Sequence, residues 1–189
     1  MTTTSLSADT RPVVREAEPR DHPRIRLLLN ESTAQYRAVL PSRMYHAYLN
    51  DLLDLDRHAR DGHLLVATRE TQIVGSASFY ADTTVQHMGW PSGWSGGRGL
   101  AVHPAARRHG VAQALLGRCE RLGRTVGSPM FAFHSATFMK EAVRLYGHLG
   151  YIRLPRYDTD LAAYYGAAGE ASLPVLAFGR DLTEAVRHG

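Results

Sequence analysis

Apolar positions along this chain alternate between helical spacing and runs short enough for strands. Val13-Val14-Arg15 is a short β-like stretch. Ile25, Leu28, Leu29, Ser32, Tyr36 and Val39 then recur on one helical face. Asp21 stands where an N-cap is expected, Pro23 falls in the first turn, and Pro41 stops the helix. Ser42 is placed to cap a second helix with Met44, Tyr48, Leu52, Leu55 and Ala59 on one side, ended by the Asp61-Gly62 turn. His63 to Thr68 and Ile73 to Tyr80 read as strands joined by a hairpin-length connection, Arg69 to Gln72. Residues 81–97 mix Gly, Pro, Ser and two Trp, so part of them must be loop. Trp90 and Trp94 either fold back on the core or line a binding surface, with the surface favoured.

Leu100 to Val102 is an apolar run suited to a buried strand, and Pro104 ends it. An arginine-rich turn leads into a helix that begins near His109 or Gly110 and runs to about Val126. Its stripe is Val111, Leu115, Cys119, Leu122 and Val126. Met130 to His134 is a buried-looking strand. Thr137 is placed to cap the next helix, whose one face carries Met139, Ala142, Val143, Tyr146 and Leu149, and Gly150 suits its left-handed C-terminal position. Tyr151 to Leu154 begins another strand, Arg156 to Leu173 is loop-like, and Val175 to Gly179 is a last strand. The order β-α-α-β-β-β-α-β-α-β-β predicts an α/β fold, a mixed central sheet with helices on both faces.

Length and composition fit one domain over residues 12–189, with a Thr/Ser-rich, disordered lead-in over residues 1–11 that has no apolar core of a signal peptide. No apolar run approaches the ~20 residues needed to span a bilayer. These features predict a cytoplasmic protein with no membrane partner. Cys119, the single cysteine, lies on an apolar helix stripe and reads as a buried structural thiol rather than a nucleophile. The ten histidines form no ligand-spaced pair supported by Cys or carboxylate, so no metal site is expected.

A net charge of +4 allows an anionic partner. The arginines are spread along the chain without a basic tail, which argues against nucleic acid. The local cluster at Arg107, Arg108 and His109 is more specific. It precedes a helix start, where free N–H groups and the positive dipole end collect, and Gly110 and Ala112 reduce side-chain bulk there. Together these make a cradle for a di-anion such as a pyrophosphate. No Gly-Lys-Ser/Thr follows, so this is not a Walker A loop.

Leu100-Ala101-Val102-His103-Pro104, followed by Arg107-Arg108-His109-Gly110-Val111-Ala112, resembles the acetyl-CoA-binding motif of the GNAT (GCN5-related) acetyltransferases. Arg107, Gly110 and Ala112 occupy the pattern's fixed positions. Ala142 to Tyr151 is similar to the family's Ala-x-x-Leu-Tyr-x-x-x-Gly-Phe/Tyr signature. The resemblance implies a GNAT-type sheet, splayed between the strand ending at Val102 and the strand ending at His134. It implies an N-acetyltransferase that moves acetyl from acetyl-CoA to a primary amine by direct attack, with no metal and with a homodimer as the common assembly. A CoA-binding regulatory or catalytically degenerate relative is the alternative.

By the same resemblance, Leu100, Ala101 and Val102 would offer backbone groups to the pantetheine arm. Arg107, Arg108, His109, Gly110, Val111 and Ala112 would hold the pyrophosphate, with help from Gln113. Tyr146 matches the tyrosine that protonates the departing thiolate, although its spacing also fits a core aromatic. Members commonly have Asn where this chain has Met139, and many have Glu where this chain has Gly96. That leaves His134, His87, Glu31 or a water as the general base. The acceptor amine is not legible in the sequence.

Overall fold

The protein is described by a computed structural model over residues 11–166 and 171–183. The expected lead-in over residues 1–11 lies outside this range except for Arg11, as does part of the loop expected before the last strand. The strands are β1 (Val13–Glu16), β2 (His63–Arg69), β3 (Gln72–Tyr80), β4 (Ser95–Val102), β5 (Met130–Ala136), β6 (Ile152–Arg153), β7 (Thr159–Asp160) and β8 (Pro174–Asp181). The helices are α1 (His22–Thr33), α2 (Ser42–Leu53), α3 (Leu55–Asp61), α4 (Val111–Thr125), α5 (Lys140–His148) and the single turn α6 (Leu161–Tyr164). They build one eight-stranded sheet in the order β1-β2-β3-β4-β5-β8-β6, with β7 also on β8.

The sheet is antiparallel except at its centre. There β4 and β5 run parallel and pair only at Ser95 with Phe131 and Gly96 with Ala132. Beyond that point β4 stays with β3 as far as Val102 opposite Gly75, and β5 stays with β8 as far as Ala136 opposite Val175. The two halves therefore splay apart, as the family resemblance implies. A bulge helps turn β4 away. Ser76 and Ser78 face Ala101 and Arg98, so β4 carries one more residue than β3 across this interval. A bulge bends its strand, and Gly99 within this one has φ +65, where a side chain is strained. At the vertex, a Cβ on Gly96 would lie 2.3 Å from Thr83 Cγ2 and 2.7 Å from the Ala132 carbonyl oxygen.

Each face of the sheet buries a separate core. On one side Leu65, Phe79, Phe131 and Phe133 pack with Val111, Leu115 and Cys119 of α4 and with Tyr146 of α5. On the other, Ile25 and Leu29 of α1 pack with Leu52, Leu55, Leu64 and Val66. Helix α2 spans the two halves of the sheet. Its Leu52 joins the cluster containing Ala101, while Met44, Tyr45 and Leu49 pack with Ala136 and Val175.

Several local expectations are corrected. Asp21 does not cap α1: its carboxylate accepts from Arg15 Nη1 at 2.6 Å and from the Glu18 N–H at 2.8 Å, tying the turn back to β1. The first helix tightens to a 3-10 segment at Ala34–Ala38, which rotates its face, and Val39 ends 53% exposed. Pro41, not Ser42, is the residue before α2. The second predicted helix breaks at Asp54, whose carboxylate accepts the Arg57 N–H and starts α3. Thr137 does not cap α5, because its N–H bonds the Pro174 carbonyl and Met139 precedes the helix. The strand expected at Tyr151 to Leu154 shortens to two residues, and the loop after it contains β7 and α6.

Candidate active site

Backbone pairing shapes the site first. From Gly97 to Val102 the edge of β4 that faces β5 has no strand on it among the described residues. That edge leads through Pro104–Ala106 to the basic turn. Arg107 is extended, Arg108 is left-handed at φ +65, and Gly110 is left-handed at φ +74. Helix α4 then starts at Val111 with no side-chain cap and no acidic residue in its first turn. Its first ladder bond runs from the Ala114 N–H to the Gly110 carbonyl at 2.9 Å. The N–H groups of Val111, Ala112 and Gln113 are left outside the ladder, as at any helix start. A Cβ on Gly110 would meet nothing within 4 Å, so φ, more than space, demands glycine there.

Side chains complete the turn. Val111 is buried against Leu115 and anchors the helix start, while Arg108, His109 and Gln113 are exposed. Arg107 is half-buried and donates to Gln35 Oε1 at 3.4 Å. His109 Nδ1 lies 2.7 Å from the Arg107 carbonyl, which fixes the turn. The free amides, the dipole and the cations fit a pyrophosphate, and no carboxylate competes in the first turn. Residues Arg107 to Gln113 thus gather free amides and cations in one turn at the end of β4.

Between the splayed strands lies a cleft with a cavity volume of about 110 Å³. It brings together Leu100, His134, Met139 and Tyr146, all singled out in the sequence. Tyr146 projects from α5, edge-on to Phe133 with ring centroids 4.6 Å apart. Burial pushes its pKa up, so the phenol is protonated at neutral pH. Met139 Sδ receives only a weak contact from Ser135 Oγ at 3.9 Å. Cys119 lines the floor of the cleft, and burial pushes its thiol up to about 12, which leaves it inert as a nucleophile.

The named base candidates separate by position. His87 is exposed in a left-handed turn, and Glu31 is exposed and paired with His103 Nε2 at 3.2 Å. Only His134 lines the cleft. Its Nε2 lies 2.7 Å from the Tyr157 carbonyl, so Nε2 carries the hydrogen and Nδ1 keeps its lone pair. Burial pushes its pKa down to about 4, the Tyr157 carbonyl opposes that shift, and the Arg98 charge adds to it. The His134 ring also lies against Trp90, tilted by 36° with ring centroids 4.2 Å apart. Trp90 is 5% exposed, so it belongs to the core and not to a binding surface, while Trp94 is half-buried beside it.

Sequence reasoning missed the polar end of this cleft. Arg98 leaves β4 and pairs with Asp51 of α2, which also pairs with Arg57. Tyr165 Oη donates to Asp51 at 2.9 Å, and the guanidinium lies 5.0 Å from the Tyr164 ring centroid. Burial works against the Arg98 charge, but the Asp51 carboxylate outweighs it and raises the pKa further. Gln86, from the irregular segment before β4, lines the same end. The one sequence signal was an arginine among glycines just ahead of Leu100.

The sheet is splayed at its centre, and the strand edge left open there leads into an uncapped helix start. Residues 25–151 match the model of the acetyltransferase (GNAT) family, and the chain belongs to that family. No curated protein matches the sequence. Solved structures share the fold. A GCN5-related N-acetyltransferase from Rhodopseudomonas palustris superposes with TM-score 0.67 at 17% identity, covering 95% of this chain and 99% of that one. A Corynebacterium glutamicum protein, described as histone acetyltransferase HPA2 and related acetyltransferase, gives 0.64 at 21% identity, covering 93% and 99%. The yncA protein of Salmonella typhimurium, solved with acetyl-CoA, gives 0.59 at 17% identity, covering 93% and 96%.

Proposed function

We propose that this protein is an acetyl-CoA-dependent N-acetyltransferase that acts on a primary amine by direct attack. The observation that carries the reading is the continuity of the bare β4 edge, Gly97 to Val102, with the uncapped start of α4. The free edge of Leu100, Ala101 and Val102 suits the amide-bearing pantetheine arm, which can bond it as a further strand would. Arg107, Arg108, His109 and the amides of Val111, Ala112 and Gln113 suit the pyrophosphate. Acetyl-CoA supplies an acetyl group already activated as a thioester.

The chain's own residues then orient the reactants and handle protons. Holding amine and thioester together in the cleft supplies much of the rate. Tyr146, protonated through its burial, donates a proton or hydrogen bond from Oη toward the leaving sulfur. His134 offers the lone pair on Nδ1 to the amine. A nitrogen whose pKa is about 4 is too weak a base to strip an ammonium ion, so it orients an amine that arrives as the free base; the proton the amine nitrogen sheds as the C–N bond forms passes to solvent, from which Tyr146 regains the one it gives to the leaving sulfur. The Glu common in the family has no room here, since even a Cβ at Gly96 would meet Thr83 and the Ala132 carbonyl.

The alternative, a CoA-binding protein without turnover, is favoured by Gly96 and Met139. Two measurements test the pair. Calorimetry should find acetyl-CoA binding in wild type and in Gly110→Ala, which changes only the preferred φ, and none in Gly110→Glu, which brings negative charge to the pyrophosphate. Equal affinity in a folded Gly110→Glu variant would remove the turn from the site. Amine-dependent release of free thiol then separates enzyme from non-catalytic binder.

A further inference from the structure

Among the described residues, six buried side-chain polar atoms have no protein hydrogen-bond partner. Three belong to residues lining the cleft: Gln86 Nε2, Arg98 Nε and His134 Nδ1. A fourth, Trp90 Nε1, belongs to the ring lying against His134. Native proteins leave few buried donors unpaired, and an unpaired group calls for a reason. Gln86 Nε2, Arg98 Nε and Trp90 Nε1 are donors, which points to a ligand group that accepts hydrogen bonds, whereas His134 Nδ1, whose ring carries its hydrogen on Nε2, calls for a group that donates one.

Charge narrows the class. Arg98 is the one lining residue among those described with a full charge at neutral pH, and Asp51, its counter-ion, is not in the lining. Asp51 neutralises the cation from one side and leaves its Nη1 and Nε without an oxygen partner. Arg98 Nη2 is taken by Asp51 and by Tyr165 Oη at 3.3 Å, while Nη1 reaches only the Met88 thioether at 3.3 Å. Thioether sulfur is a weak acceptor, so the guanidinium retains donor capacity on Nη1 and Nε. An acceptor bearing a carboxylate would gain charge-assisted bonds from the same side chain.

Resting on the acetyl-transfer reading above, we propose that the acceptor is a small amino acid-like molecule whose carboxylate is held by Arg98 and Gln86 while its amine faces the thioester.

The experiment compares matched acceptors with the full chain: methionine, methioninamide and 3-(methylthio)propylamine, then leucine, leucinamide and isopentylamine. Thiol release from acetyl-CoA is read per unit of free-base amine, and thermal shifts are read without acetyl-CoA. The acids should exceed their amides and decarboxylated amines by ~10-fold or more in kcat/KM, since bonds to charged groups are the stronger ones. Gln86→Leu and Arg98→Lys should each shrink that ratio. Because the ratio is internal to each variant, a partial loss of folded protein cancels. Rates for the amides or simple amines that equal those of the acids would overturn the proposal, as would ratios unchanged in both variants. Failure of acetyl-CoA to bind would sink the acetyl-transfer reading instead. Thermal shifts by acids alone would then still support the carboxylate site, and shifts that ignore the carboxylate would overturn it.

Discussion

The Tyr146 ring packs among Phe133, Tyr151 and Phe178, yet the same residue lines the cleft. Tyr146→Phe separates these roles, because it keeps the ring and removes Oη. Loss of a general acid lowers kcat by ~10²–10⁴-fold. The expected result is that fall, with the melting temperature and acetyl-CoA affinity nearly unchanged. Melting that drops together with activity would return Tyr146 to a packing role. His134 makes a pH prediction. Its folded pKa is about 4 against an ordinary 6.5, so between those values the unfolded chain binds the proton and the folded protein does not. Stability should therefore fall as pH drops from about 6.5 to about 4 and level off below. His134→Gln should flatten that slope in thermal melts. Asp21, held at about 2 by Arg15 and the Glu18 N–H, adds its own loss only at lower pH. Gly96 makes a steric prediction. Gly96→Ala should cost ~1–3 kcal/mol through overpacking at the vertex, measured by denaturant unfolding. An unchanged midpoint would mean that the vertex gives way.

Elements were legible where one local rule fixed them. Helix α4 showed its apolar stripe and its glycine start, and both β4 and β5 showed apolar runs. The basic turn and Tyr146 followed from short motifs. What escaped depended on contacts distant in sequence. Asp51 on α2 and Arg98 on β4 lie on different elements, and nothing local marks their pairing. Trp90 looked like surface because its neighbours are turn residues, but His134 and Tyr157 reach across to cover it. The break at Asp54 hides in a continuous apolar stripe, since Leu52 and Leu55 join one core from two helices. Helix α2 carries its own prediction. Leu49 is buried on the face that meets Ala136, Leu161 and Val175, while Leu52 holds the other half of the sheet. Leu49→Ala should cost ~2–5 kcal/mol as a cavity-forming change, read from urea unfolding. A cost well under that range would mean that α2 is not clamped against the second half.

At the scale of the whole molecule, the two halves of the sheet pair as strands only over Ser95–Phe131 and Gly96–Ala132 among the described residues, and α2, α4 and α5 pack around the opening. A ligand that bonds the β4 edge and the start of α4 touches groups that only the folded protein assembles. It should stabilise the fold by mass action, by about 2.7 kcal/mol at a hundredfold excess over Kd. For a chain of this size that corresponds to a rise of roughly 5–10 °C in Tm. The net charge of +4 offers a different explanation for any anion effect, a general basic surface. The two differ in salt and in geometry. A polyanion bound by diffuse charge loses affinity steeply as salt rises, through release of counterions. A pyrophosphate held by the amides of Val111, Ala112 and Gln113 depends on short bonds that salt screens less. Melting curves with acetyl-CoA should therefore keep most of their shift between 50 and 200 mM salt, a range over which nonspecific nucleic-acid binding falls by about 10³-fold or more. Gly110→Glu should remove the shift at both salts, and Gly110→Ala should retain it from a slightly lower starting Tm. A shift that vanishes with salt, or that survives Gly110→Glu, would assign the effect to surface charge and take the basic turn out of the site.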